Sequence, residues 1–240
     1  MAIGAYEKCK QYIQSHSEQE FISSSKKRKV YPCITISRET GSGSQAVCEK
    51  LIEILDDYST PENVKWTYFD RQLIEKVLED HNLPDQIKKY MIEDKYHHVS
   101  DAVHELLGLA PSQWTIIHKT TDTVLQIARM GGCVIVGRGA NLITAKLKNA
   151  FHVRLVAPLN KRIEHICKIM QMTEKEAIAY IKKQDHNRED YIKSYFGKNI
   201  QDPLLFHMTL NTGYLGHETS AQVIAESVIS KYSVLFPQFA

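Results

Sequence analysis

From Tyr31 onward the chain alternates between short apolar runs and stretches whose apolar residues recur three or four apart. Ile34-Thr35-Ile36 predicts a strand, and Val47, Leu51, Ile52 and Leu55 share one face of a helix over residues 44–55. Trp66-Thr67-Tyr68-Phe69 has strand composition, and Leu73, Ile74, Val77 and Leu78 return to helical spacing. A helix capped by Ser112 carries Ile116, Ile117, Val124 and Ile127 to Met130 and stops at Gly131-Gly132. Cys133-Val134-Ile135-Val136 and Val153-Arg154-Leu155-Val156-Ala157 read as continuous apolar strands. Thr173-Glu174-Lys175-Glu176 has capping-box form and opens a helix to Lys183, with Asp185-His186-Asn187-Arg188 at the junction of two helical stretches. Apolar strands separated by helices predict a buried parallel sheet covered on both faces. Ligands in such sheets gather where the strands end.

The pattern divides the chain into an N-terminal extension, residues 1–30, and one domain, residues 31–240. The extension carries a faint stripe of Tyr6, Cys9 and Ile13, a polar stretch, and the basic run Lys26-Lys27-Arg28-Lys29, read as a solvated linker. Within the domain, residues 83–112 form a helical insertion rich in charge and histidine, and residues 170–197 a helical lid. A length of 240 residues suits one α/β domain with a small insertion. Hydrophobic residues at 43% with 24% charged belong to an ordinary globular protein, and a net charge of +2 is too small to argue for nucleic acid. No apolar run is long enough for a membrane span, so a cytoplasmic protein without a membrane partner is expected. The five cysteines form no C-x-x-C pair, and Cys33 and Cys133 open apolar runs as buried thiols. His97, His98 and His104 lack ligand spacing, so no metal site is expected from them.

Candidate chemistry lies at the ends of these elements. After the first strand, Arg38-Glu39-Thr40-Gly41-Ser42-Gly43-Ser44-Gln45 places a glycine turn between strand and helix, where backbone N–H groups and the helix end can cradle phosphate. Ser42 and Ser44 add hydroxyl donors. The pattern G-x-x-x-x-G-K-[ST] would put lysine at Ser44, so the loop lacks that cation and Arg38 is the nearest replacement. Asp70-Arg71 follows the second strand as a carboxylate that could orient a hydroxyl or help hold magnesium, with a guanidinium that could fork onto phosphate, or as a helix cap with a surface arginine. Gly137-Arg138-Gly139-Ala140-Asn141 offers a guanidinium at a strand end, or a glycine turn with a solvated side chain. Arg162, Asp185 and Arg188 sit on helical segments that can close over polyphosphate, whereas Lys182 and Lys183 read as solvent-facing.

In this order the stretches resemble the cytidylate kinase-like family, relatives of the P-loop nucleoside monophosphate kinases. The resemblance runs through Ile34-Thr35-Ile36-Ser37-Arg38-Glu39 with Gly41-Ser42-Gly43, Phe69-Asp70-Arg71, Val136-Gly137-Arg138-Gly139-Ala140-Asn141, His152 to Pro158 with Lys161-Arg162, Asp185 to Arg188, and Asp202-Pro203 with Leu210-Asn211-Thr212. It implies an α/β, three-layer P-loop NTPase fold, its parallel sheet flanked by helices, with a helical insertion and a helical lid. It further implies a phosphotransferase that moves the γ-phosphate of ATP, with Mg2+, to a nucleoside monophosphate such as CMP or another small phosphorylated acceptor. Thr40, Gly41, Ser42, Gly43, Ser44 and Gln45 would hold the donor nucleotide. Asp70, Arg71 and Arg138 would face the acceptor, and Arg38, Asp70, Arg138, Arg162, Asp185 and Arg188 would form the catalytic group. The chain departs from the family pattern at Ser44 and Gln45, at Ala46 where a metal-binding Ser or Thr is usual, and at Gly139 where an acid is usual. These departures keep a second reading open, a module that binds nucleotide or another phosphorylated ligand as a sensor or partner protein. Homo-oligomerisation stays open as well.

Overall fold

Strands form where the apolar runs stand. The computed structural model describes Tyr12 and residues 30–58, 65–70 and 113–236, with residues 113–119 by their backbone alone. β1 (Cys33–Arg38), β2 (Thr67–Phe69), β3 (Cys133–Val136), β4 (Ala150–Val156) and β5 (Met208–Asn211) make one sheet in the order β2-β3-β1-β4-β5. Every neighbouring pair is parallel. Such pairs require crossovers. The described helices between strands are α1 (Ser44–Asp57), α2 (Gln113–Met130), α3 (Ala140–Ile143), α4 (Leu159–Met170) and α5 (Glu174–Phe196), and α6 (Thr212–Leu215) and α7 (His217–Lys231) follow β5. The three-layer α/β arrangement expected from the sequence is the one observed.

The strand order decides where a ligand can sit. β1 lies between β3 and β4, with Ile36 level with Val136 on one side and Val153 on the other. The chain therefore leaves β1 beside two turns that come a hundred residues later, and a crevice forms between them. All four residues of β3 are buried, each worth about 1.5–3 kcal/mol for the larger side chains, so the strand ends are held rigidly. A satellite core of Ile166, Ala177 and Ile181 joins α4 to α5, separate from the main core beneath the sheet.

The predicted stop of α2 is observed. Gly131 and Gly132 take left-handed backbones (φ 75° and 62°), and a side chain at Gly131 would run into the Tyr31 carbonyl. Tyr12, inside the stretch read as an extension, is 2% exposed. Its hydroxyl donates to the Gly131 carbonyl at 2.6 Å, and its ring meets Phe69 edge-on with centroids 5.1 Å apart. The thiols of Cys33, Cys48 and Cys133 are buried, and burial pushes Cys48 up to about 12, so these cysteines behave as core residues.

The lid differs from expectation. Asp185 and Arg188 do not lie at a helix junction. They sit inside one 23-residue helix, α5, which starts at the predicted Thr173 capping box and ends at Gly197 in a left-handed turn. No glycine or proline interrupts the sequence between those points, so nothing breaks the helix at residue 183. Residues 1–29 other than Tyr12, Ser112, Arg71, the helix predicted through Val77 and the histidine-rich insertion lie outside the described residues.

Candidate active site

The turn after β1 closes on itself. The Glu39 carbonyl accepts from Ser42 N–H at 3.3 Å and from the Ser42 hydroxyl at 2.9 Å, while Thr212 donates its hydroxyl to the Ser42 carbonyl at 2.8 Å. Ser42 is buried, so its hydroxyl shapes the loop instead of facing a ligand. Gln45 turns along the exposed face of α1 to Glu49 at 3.0 Å and likewise points out of the loop. Backbone does the remaining work. Gly43 starts α1 in a left-handed conformation with no side-chain cap, leaving the N–H groups of the first helical turn to a ligand. Two glycines are required by close approach. A Cβ on Gly41 would lie 2.7 Å from the Arg162 carbonyl oxygen, and one on Gly43 would strike the His217 ring.

Asp185 ties the lid to this loop. One carboxylate oxygen accepts from the Thr40 N–H at 2.8 Å and the Thr40 hydroxyl at 2.7 Å, and from Arg188 at 3.0 Å. The other accepts from Arg162 at 2.5 Å. Arg188 also donates to the Thr40 hydroxyl. Thr40, Arg162, Asp185 and Arg188, drawn from three separate stretches of chain, thus form one charge-assisted network in which each guanidinium is held in a fixed direction.

The third cation takes an unexpected course. Arg38 leaves the end of β1 away from its own loop and lies against the backbone of Gly137, where an added Cβ would collide with its Nη1. Burial first, then Arg188 and Arg138, lower Arg38 to about 10, while Asp70 acts to hold its charge. It remains a cation at neutral pH. Arg138 adopts φ 55°, a left-handed backbone rarely taken by a side-chain-bearing residue, between Gly137 and Gly139. Phe196 at the end of α5 packs on Gly139, with 2.7 Å to an added Cβ, which leaves no room there for the acidic side chain of the family pattern. Arg38, Arg138 and Arg188 line one cavity of about 230 Å³, with Asn141 and Asn187 as neutral hydrogen-bonding groups and Tyr191 on the lid side. Among the described residues this cavity has no carboxylate in its lining.

Of the residues singled out by sequence, the structure brings Arg38, Arg138 and Arg188 to one cavity and Thr40, Arg162, Asp185 and Arg188 to one network. Asp70 stands electrostatically beside Arg38. Among the described residues no group of three His, Cys, Asp or Glu is placed to hold a metal ion.

A model of the cytidylate kinase-like family matches residues 33–214, well over half of the chain. The chain belongs to the cytidylate kinase-like family. In this family context the sheet, its crossover helices and the glycine loop after β1 are a P-loop NTPase fold. A solved structure of an uncharacterized protein from Eubacterium ventriosum shares that fold, with a TM-score of 0.62 at 19% identity over 83% of this chain and 98% of that one. Among curated proteins, a cytidylate kinase from Sulfolobus acidocaldarius is 34% identical over 79 residues, 33% of this chain and 43% of its own length. A uronate isomerase from Corynebacterium glutamicum is 25% identical over 114 residues, 48% of this chain and 22% of that protein. The chain therefore spans less than half the length of either curated relative. Among the described residues no helix is long and apolar enough to cross a membrane.

Sequence reasoning passed over several residues of this kinase-like site. Glu39 binds the Ala157 N–H at 3.0 Å and stands 3.6 Å from Arg162, bracing the loop against the start of α4. Arg154 was read as part of an apolar strand. It is 4% exposed and donates to Ser37 at 3.1 Å and to Gln201 at 3.0 Å. A lone charge in the middle of a buried strand was the signal that could have found it.

Proposed function

We propose that this chain binds ATP on the loop of residues 40–45 and transfers the γ-phosphoryl group to a nucleoside monophosphate, CMP-like, or to another small phosphorylated acceptor. The observation that carries this reading is the cavity at the ends of β1 and β3, where Arg38, Arg138 and Arg188 converge from three elements and no carboxylate lines the wall among the described residues. Three guanidiniums converging on one cavity suit a phosphorylated acceptor. Phosphoryl transfer needs alignment and charge stabilisation more than covalent help from the protein. Arg38 and Arg188 would meet the charge that develops between donor and acceptor, and Asp185 fixes the direction of Arg162 and Arg188.

The loop fits a polyphosphate by its backbone. Uncapped N–H groups at the start of α1 are donors for phosphate oxygens. Magnesium in such sites is held by substrate phosphates with one or two carboxylates, and Asp70, whose charge acts on Arg38, is a carboxylate that would serve. When bound, the ion would neutralise phosphate charge and align donor with acceptor. The second reading, binding without transfer, is favoured by the loop itself. Ser44 supplies no cation, Ala46 no hydroxyl, and Arg38 has turned to the other turn.

Phosphorus NMR of the full chain with Mg-ATP and a panel of nucleoside monophosphates separates the two. The kinase reading expects ADP and a new diphosphate to form together, with kcat/KM for the acceptor falling about 100-fold or more in Arg138→Ala. ATP binding by calorimetry with no transfer across the panel favours the binding module. Neither binding nor transfer removes both.

A further inference from the structure

A second chamber of about 160 Å³ adjoins the acceptor cavity, and Arg38, Arg188 and Ile200 belong to the walls of both. Its charged lining is four guanidiniums, Arg38, Arg154, Arg162 and Arg188, against three carboxylates. Those carboxylates are already engaged. Asp185 holds Thr40, Arg162 and Arg188, Glu39 accepts from Ala157 N–H, and Glu189 accepts from Gln201 at 2.9 Å. Arg154 is more than nine-tenths buried, hydrogen-bonded to the neutral oxygens of Ser37 and Gln201 and lying over the Phe206 ring at 5.7 Å. The buried Nε of Arg162 finds no hydrogen-bond acceptor, since Glu39 stands 3.6 Å away. Four guanidiniums against three carboxylates leave the chamber with a net positive charge that a bound anion would neutralise.

We propose that the chamber is a second oxyanion site, centred on Arg154, which takes a phosphate-class group directly beside the acceptor cavity. Arg154 is its defining residue because it belongs to the sheet and reaches the chamber from β4, independent of the lid. Ser37 and Gln201 hold the guanidinium plane on its two outer nitrogens, an arrangement that keeps the fork directed. Glu189, on the lid helix, lowers the positive charge of the chamber from its rim. The occupant is either the terminal phosphate of the donor or a second anionic group carried by the acceptor. Both present the same chemistry to the four arginines. The proposal deepens the phosphotransferase reading but concerns anion binding alone.

Calorimetric titration of the full chain with inorganic pyrophosphate tests it, comparing wild type with Arg154→Gln, Arg154→Lys and Glu189→Gln and confirming each fold by circular dichroism. Arg154→Gln is expected to weaken pyrophosphate binding about 30-fold and Arg154→Lys about 10-fold, while Glu189→Gln tightens it about threefold. Unchanged affinity in folded Arg154→Gln overturns the site, as does a wild-type chain that takes up no pyrophosphate at about 10 mM. Should Arg154→Gln fail to fold, Arg154→Lys and Glu189→Gln decide, and affinity unmoved in both overturns it. Titrations with ATP against ADP, and with cytidine 3′,5′-bisphosphate against CMP, then separate the sources. A loss in Arg154→Gln confined to ATP assigns the donor phosphate, and one confined to the bisphosphate assigns the acceptor. A chain that binds pyrophosphate through Arg154 but transfers nothing keeps this site and removes the kinase reading. An active transferase whose pyrophosphate affinity ignores Arg154 does the reverse.

Discussion

Two neighbouring glycine turns, one leaving β1 and one leaving β3, each end in a left-handed glycine that starts a helix without a side-chain cap, Gly43 at φ 74° and Gly139 at φ 67°. They differ in what they present. The turn after β1 offers backbone N–H groups, its serine hydroxyl folded inward and its glutamine turned outward. The turn after β3 offers Arg138 and also receives Arg38, which the first turn has lent to it across Gly137. Adjacent strands lie about 4.8 Å apart, so an arginine side chain easily spans the gap. A loop that lacks its lysine therefore need not lie in an uncharged site. Here the first turn works through amide dipoles and the second through full charges.

Gly137 is where this contrast breaks most easily. Gly137→Ala would drive a methyl group into the Arg38 guanidinium and place alanine at φ 83°. CMP affinity is expected to fall about 100-fold while ATP affinity changes less than about twofold, measured side by side by calorimetry. Equal losses would show that the two turns do not divide the ligands between them.

Acid acts on both turns at once, through β1. His152 Nδ1 lies 2.9 Å from the Thr35 hydroxyl, and Thr35 is in the wall of the cavity that Arg38, Arg138 and Arg188 line. Burial, with His207 and Lys231 adding to it, holds His152 down to about 4. The unfolded chain takes up this proton near pH 6.5 and the folded chain not until about pH 4, so stability is present in full above the higher value and falls through the window between them. Urea unfolding should lose on the order of 3 kcal/mol across that window, and His152→Gln should flatten the slope. A slope unaltered in His152→Gln would assign the acid sensitivity elsewhere.

Ser44→Lys sharpens the comparison by the smallest step. It returns a cation to the first turn, and ATP should bind about tenfold tighter with CMP affinity unmoved. No gain would mean that the loop geometry, with His217 packed over Gly43, keeps a side chain at this position off the phosphates.

Most of the sheet was legible because β1, β3 and β4 each carry an apolar run. β3 is Cys-Val-Ile-Val and could read as little else. β5, only four residues long and mixed in polarity, gave no such run, and α7 buries Ser220, Ala221 and Ala225 beside its larger residues, which blurs the apolar stripe. Site residues were legible singly, since arginines and glycines at strand ends advertise themselves. Their partnerships were not. Thr40 and Asp185 stand 145 residues apart, and Arg38 could only be read as serving its own loop until the register of β1 against β3 was known.

Tyr12 bears on where this protein can be cut. The family match begins at residue 33, and a gene shortened to that point would encode every residue of the candidate site. It would also delete a ring that fills the space beside Phe69 and a hydroxyl that bonds the carbonyl of the glycine ending α2. A recombinant fragment trimmed to the family-matched residues would thus carry a hole next to the strand that presents Asp70. The unit that folds is longer than the unit that resembles its relatives.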